Sequence, residues 1–195
     1  MVNKIKLATV YPEHLNLNGD QANILVLQRR LQLRGVESEV IAVNDNDDLT
    51  NYEFIFLGHG SLAAWSHIDA KRPDLIRDVL EACDNGSFIF AVASGYERLS
   101  KVRGVSAAKP ASHRSEFVDV NGIVGYINTD SALEPFIFDD HALLTLLHGP
   151  LLAKNPELAD DLISKFGWAD TTIRNQRLDE QDRLAKLSRH TAIEH

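Results

Sequence analysis

The stretch Phe88-Ile89-Phe90-Ala91-Val92-Ala93-Ser94-Gly95-Tyr96-Glu97-Arg98-Leu99 constrains the fold more than any other part of the chain. An apolar, β-rich run stops abruptly in small residues, and an amphipathic run begins at once. This junction reads as a buried strand turning sharply into a helix, with one residue at the tip. The tip is strained, so its neighbours must be small. Counting back two places from Gly95 puts the tip at position 93, and residues 87–100 are expected to form strand, sharp turn and helix with Ala93 at the apex. Enzymes of the α/β type carry a serine or cysteine nucleophile at such a tip. An alanine methyl attacks nothing.

The rest of the chain repeats the strand-then-helix order. Strands are expected at 5–10, 36–43, 54–57 and 87–92, the first of them nearly continuously apolar, as strands covered on both faces are. Asp20 is placed to cap a helix carrying Ile24, Leu27 and Leu31 at helical spacing and stopped by Gly35. A second helix is expected at 69–83. This alternation predicts an α/β fold with a mostly parallel sheet flanked by helices. From about residue 117 to 147 the pattern changes to short strands separated by Asn121-Gly122, Asn128-Thr129-Asp130 and Asp139-Asp140, which predicts a small antiparallel extension. A capped helix is expected at 155–166, then a charged helical tail.

A chain of 195 residues with 44% hydrophobic content can bury a sizeable core in one domain. Its net charge of −8 argues against an extended nucleic-acid footprint, which needs clustered Lys and Arg. No apolar run approaches the roughly 20 residues that span a bilayer, and the N-terminus runs into a strand rather than a signal-peptide core. One cysteine excludes an intramolecular disulfide. A cytoplasmic protein that contacts neither nucleic acid nor membrane is the simplest expectation.

The segment His148-Gly149-Pro150-Leu151-Leu152-Ala153-Lys154-Asn155-Pro156-Glu157-Leu158-Ala159-Asp160 closely resembles the histidine motif of the GatD-like branch of the cobyric-acid-synthase-type, class I glutamine amidotransferases. These are the glutaminase subunits of lipid II isoglutaminyl synthase. Tyr11-Pro12-Glu13-His14-Leu15-Asn16-Leu17-Asn18-Gly19-Asp20-Gln21-Ala22-Asn23-Ile24 is similar to the first loop and helix start of that family. The family's elbow reads roughly Ala-Ile-Cys-Gly-Gly-Tyr-Gln. This chain keeps Ala91, Gly95 and Tyr96, with Ala93 for the cysteine, Ser94 for a glycine and Glu97 for the glutamine. The resemblance covers most of residues 1–168, an amidotransferase-like domain, with 169–195 as a helical tail.

The resemblance implies roles that can be checked part by part. Class I amidotransferases use a thiolate nucleophile, a histidine base and backbone N–H groups that stabilise an oxyanion. Ala93 stands at the nucleophile position, and Cys83 lies a strand's length away, in the preceding helix. Ser94 is an alternative nucleophile, but it sits one place past the tip, where the family uses the backbone N–H. His148 stands where the family's base does, now without a nucleophile to serve, and Pro150 occupies the place where many class I triads carry an acid. Gly58-His59-Gly60-Ser61 replaces a Gly-Gly-Gly-Gln-Asp-like loop. Gly58, Gly60, Ser61, Ser94 and Gly95 are therefore the expected oxyanion and ligand-binding residues, facing one cavity with Ala93 and His148.

Other features carry less. His59, His67, His113, His141 and His148 match no zinc spacing, so no metal is expected. No Walker-type loop is present, and no cofactor is expected. Arg98, Lys101 and Arg103 read as a solvated helix face, and residues 45–48 as a surface connector. The resemblance implies a Mur-ligase-like partner in peptidoglycan stem-peptide amidation. With Ala93 at the tip, the expectation is a non-catalytic homologue that binds such a partner, or a small ligand such as glutamine. The alternative is an active glutaminase subunit supplying ammonia to that partner.

Overall fold

The computed structural model describes residues 4–105 and 112–193. Expectations touching residues 1–3 and the last two residues of the tail lie outside the described residues. In chain order the elements are β1 (Ile5–Val10), α1 (Ala22–Leu33), β2 (Ser38–Val43), β3 (Phe54–Leu57), α2 (Leu62–Lys71), α3 (Leu75–Asp84), β4 (Phe88–Val92) and α4 (Ser94–Val102). There follow β5 (Arg114–Val120), β6 (Ile123–Thr129), β7 (Phe136–Phe138), β8 (Ala142–Thr145), β9 (Leu147–His148), α5 (Leu151–Lys154), α6 (Pro156–Lys165) and α7 (Gln176–Ile193).

A six-stranded sheet runs in the order β2-β1-β3-β4-β8-β7, parallel throughout except for β7. Strands β3 and β4 are buried at every residue, which is why they read as unbroken apolar runs. A smaller antiparallel sheet, β5-β6-β9, carries the expected extension. Strand β8 departs from the antiparallel expectation and rejoins the main sheet parallel to β4.

The parallel strands end on one edge, with Tyr11, Gly58 and Ala93 immediately beyond β1, β3 and β4. Strand order reverses between β1 and β3, the kind of place where open α/β sheets form their crevice. The chain turns hard there: Tyr11 has φ 43° and Ala93 φ 45° with ψ −111°, left-handed values costly for a residue with a Cβ. The Ala93 N–H donates to the Thr145 carbonyl at 2.7 Å, which ties the elbow to the end of β8.

Three local expectations are corrected. The helix expected at 69–83 is two helices, because Pro73 has no N–H to donate and pushes Arg72 to an extended conformation of φ −140°, ψ 75°. Asp20 does not cap α1; it is fully buried and turned away, accepting from the Gly149 N–H at 3.1 Å. Asn155 precedes α6 without a side-chain cap; it bonds the Val124 backbone in both directions instead, at 2.8 and 2.9 Å. The α7 helix packs against α1 through Arg30–Asp182 at 2.8 Å and buries Leu178 completely.

Candidate functional site

The elbow follows from packing at the start of α4. A Cβ on Gly95 would lie 2.8 Å from the Leu57 carbonyl oxygen and 2.9 Å from that of Gly58. Only glycine lets the helix start this close to the end of β3. Gly95→Ala is expected to destabilise by about 1–3 kcal/mol, the usual range for overpacking, despite alanine's better helix propensity. Urea melts of the two proteins check this, and an alanine variant as stable as wild type would refute the close approach.

The loop after β3 packs equally tightly. A Cβ on Gly58 would sit 2.1 Å from the Leu15 carbonyl oxygen, and one on Gly60 2.6 Å from the Leu15 side chain. The Leu17 N–H donates to the His59 carbonyl at 3.0 Å, so the first loop lies directly on this turn. Ser61 is turned out of the site: its hydroxyl caps α2, accepting from the Ala64 N–H at 3.1 Å.

Ser94 is the hub. Its hydroxyl oxygen accepts from the Trp65 indole N–H at 2.8 Å and from the Gly60 N–H at 3.0 Å. Its own proton is shared between His59 Nδ1 at 2.9 Å and the Gly60 carbonyl at 3.2 Å. The Ser94 backbone N–H also points at His59 Nδ1, at 3.3 Å. Burial first, and the nearby His148 second, push the His59 pKa down to about 4, which suits a neutral, accepting ring.

His148 meets His59 edge-to-face with ring centroids 4.9 Å apart. Its Nδ1 is 2.7 Å from the Asn18 side-chain nitrogen and its Nε2 is 3.1 Å from the Asn128 carbonyl. A carbonyl only accepts, so in the neutral ring the proton sits on Nε2 and the Nδ1 lone pair takes the Asn18 amide. Asp20 lies behind this ring with Oδ2 unpartnered, and burial raises its pKa, the Gly149 N–H and His148 opposing. Both Ala93 and His148 are buried, with 4% and 9% exposed.

His59, Gly60, Ser94 and His148 therefore come together beside Ala93, while Gly58 and Gly95 serve close packing and Ser61 caps a helix. Sequence reasoning gave no site role to His59 or Asn18, and cast Asp20 as a helix cap. A histidine between two glycines at a strand end was the available signal for the first. Cys83 stays apart, buried against the His141 carbonyl at 4.0 Å, and burial raises its thiol pKa. Arg98, read as solvated, stacks over Trp65 at 4.3 Å and pairs with Asp69. Among the described residues, no three His, Cys, Asp or Glu side chains gather as a metal site requires, and no helix is long and apolar enough to cross a membrane.

His59 makes a pH prediction. A histidine with a folded pKa near 4 and an unfolded value near 6.5 binds its proton more readily when unfolded. Its neutral form therefore supports the fold above about pH 6.5, and that support fades as pH falls toward 4, by at most about 3 kcal/mol. His59→Asn keeps an acceptor that does not protonate. Its urea stability is expected to fall less steeply than wild type between pH 6.5 and 4; parallel curves would refute the assignment.

No family model matches the chain. It is similar to the GatD subunit of the glutamine-hydrolysing lipid II isoglutaminyl synthase of Staphylococcus aureus (strain N315), 24% identical over 195 residues, covering 78% of this chain and 80% of the relative. A solved glutamine amidotransferase from Thermotoga maritima superposes with a TM-score of 0.51 at 12% identity, covering 94% of each chain. The fold is glutamine amidotransferase-like.

Proposed function

We propose that this chain is a GatD-like amidotransferase homologue that has lost glutamine turnover and acts by binding a Mur-ligase-like partner or a small ligand such as glutamine. The observation that carries the reading is the state of the elbow. Ala93 holds the strained tip, and among the residues that the resemblance implies for the oxyanion and ligand, two N–H groups are already engaged, Gly60 with Ser94 Oγ and Ser94 with His59 Nδ1. An oxyanion hole works when its donors are free and aimed at the developing charge. Here an imidazole and a hydroxyl take that place.

His148 fits the same reading. A general base needs a lone pair directed at the proton it removes; with alanine at position 93 there is no such proton, and the Nδ1 lone pair takes the Asn18 amide instead.

The contact of Ser94 Oγ with His59 Nδ1 at 2.9 Å favours one rival, a serine nucleophile with His59 as its base. Two N–H donations onto the same oxygen weaken that nucleophile, because they occupy the lone pairs an attack would use. The readings separate in one assay: glutamate release from glutamine by the purified chain, with and without a Mur-ligase-like protein. The proposal expects background release in both cases and a stable complex with the ligase on gel filtration. Turnover that Ser94→Ala abolishes would establish the serine enzyme instead.

A further inference from the structure

Away from the elbow, a groove of about 510 Å³ runs between α1, α5 and α7. Its floor is apolar, formed by Val26, Leu152 and Ala185, and Leu25 and Leu184 stand on its sides, 57% and 52% exposed. Leu187, one turn along α7, is also 52% exposed. Apolar side chains exposed together on facing helices, unlike ones scattered singly, mark an interaction surface.

The charges at this groove are one-sided. Arg29 and Lys154 line it, and no aspartate or glutamate does. Neither cation is ion-paired among the described residues. Arg30, at the base of the groove, is by contrast neutralised by Asp160 and Asp182. In a chain of net charge −8, two cations without a carboxylate partner beside an apolar trough, Arg29 bonded only to the neutral Gln32 side chain, select an occupant of opposite charge.

We propose that this groove docks an acidic amphipathic helix of a partner protein. Apolar anchors at i, i+3, i+4 and i+7 would lie on Val26, Leu152 and Ala185, and flanking carboxylates would meet Arg29 and Lys154. The groove is preformed, because Arg30 at its base bonds both Asp160 and Asp182 and so fixes α7 against α1. It is also joined to the elbow region. Asn23 of α1 donates to the Gly149 carbonyl at 3.2 Å and accepts from the Leu152 N–H at 2.9 Å, linking the groove wall to the turn after His148. The proposal rests on the groove alone and holds whether or not the elbow turns over glutamine.

The test uses the full chain and two fluorescein-labelled synthetic peptides. One has leucine at i, i+3, i+4 and i+7 with glutamate elsewhere; the other replaces the glutamates with lysine. Fluorescence anisotropy should show saturable binding of the acidic peptide and at least about tenfold weaker binding of the basic one. Arg29→Glu with Lys154→Glu should weaken the acidic peptide about tenfold. Ala153→Trp, which adds an indole at an exposed position of the groove, should abolish its binding while circular dichroism stays unchanged. Equal binding of both peptides, no saturable binding, or wild-type binding by Ala153→Trp would overturn the proposal. So would self-association of the wild type that Ala153→Trp removes, which would place a second copy of this chain in the groove.

Discussion

Ala93→Cys alone is expected to leave glutamine turnover at the wild-type background, while Ala93→Cys/Ser94→Gly/His59→Gly exceeds it by at least about 100-fold. The single change supplies a thiol at a tip whose backbone already has the strained conformation, φ 45° and ψ −111°. It does not free the N–H groups proposed as oxyanion donors, since the Gly60 N–H stays on Ser94 Oγ at 3.0 Å and the Ser94 N–H stays near His59 Nδ1 at 3.3 Å. Losing one such donor costs about 10²–10³ in rate, and here two are engaged. Ser94→Gly removes the hydroxyl that holds Gly60, and His59→Gly removes the ring that faces the amide at position 94. The measurement is glutamate release by the wild type, the single and the triple variant, with circular dichroism as the folding control. Strong turnover by Ala93→Cys alone would show that the donors are available and that only the nucleophile is missing.

The framework was legible because buried parallel strands leave little choice of residue. Phe54–Leu57 and Phe88–Val92 are apolar at every position, and the break to Ala93-Ser94-Gly95 marks the elbow to the residue. Where a side chain's partner is distant in sequence, the pattern misled. Asp20 has the local signature of a helix cap, yet its partner is Gly149, 129 residues away. Asn155 has the same signature and bonds Val124. Residues 69–83 read as one helix because hydrophobic spacing carries across Pro73, whereas backbone hydrogen bonding does not. At the site, the sequence located the sharp turn at Ala93. It did not show that His59 and Ser94 turn inward onto the neighbouring N–H groups, because that depends on how two loops meet. Trp65 belongs to the same gap: its indole N–H reaches Ser94 because α2 starts at Leu62, well before the expected start at 69.

Asp160→Ala is expected to be the most destabilising single substitution outside the apolar core, at about 3–5 kcal/mol. Asp160 accepts from Arg30 Nε and Nη2 at 2.8 and 2.7 Å and from Arg34 Nη2 at 2.9 Å. The two arginine side chains are 1% and 0% exposed, so removing the carboxylate leaves two guanidinium groups buried with too few acceptors. Arg34 Nε already has no partner, and the site has no slack to absorb the loss. Against a total stability of about 5–15 kcal/mol this is a large fraction, and in a chain of this size it corresponds to a Tm drop of about 10 °C. Arg77→Ala is the control: its pair with Asp74 is exposed on both sides, 76% and 58%, and should change stability by under about 1 kcal/mol. Acid should act on the same junction through Asp182. Burial alone would raise its carboxyl, but hydrogen bonds from Arg174 and Arg30 outweigh that and hold the pKa below the ordinary carboxylate value. A depressed carboxylate supports the fold at and above its unfolded pKa, near 3.9, and that support is lost as pH falls below it. Protection factors of the α7 amides, which correct for slower intrinsic exchange in acid, should therefore be high in the wild type at pH 5, fall toward pH 3, and be low at both pH values in Asp160→Ala. Wild-type protection of α7 in that variant would show that apolar contacts, rather than the arginine cluster, hold the last helix in place.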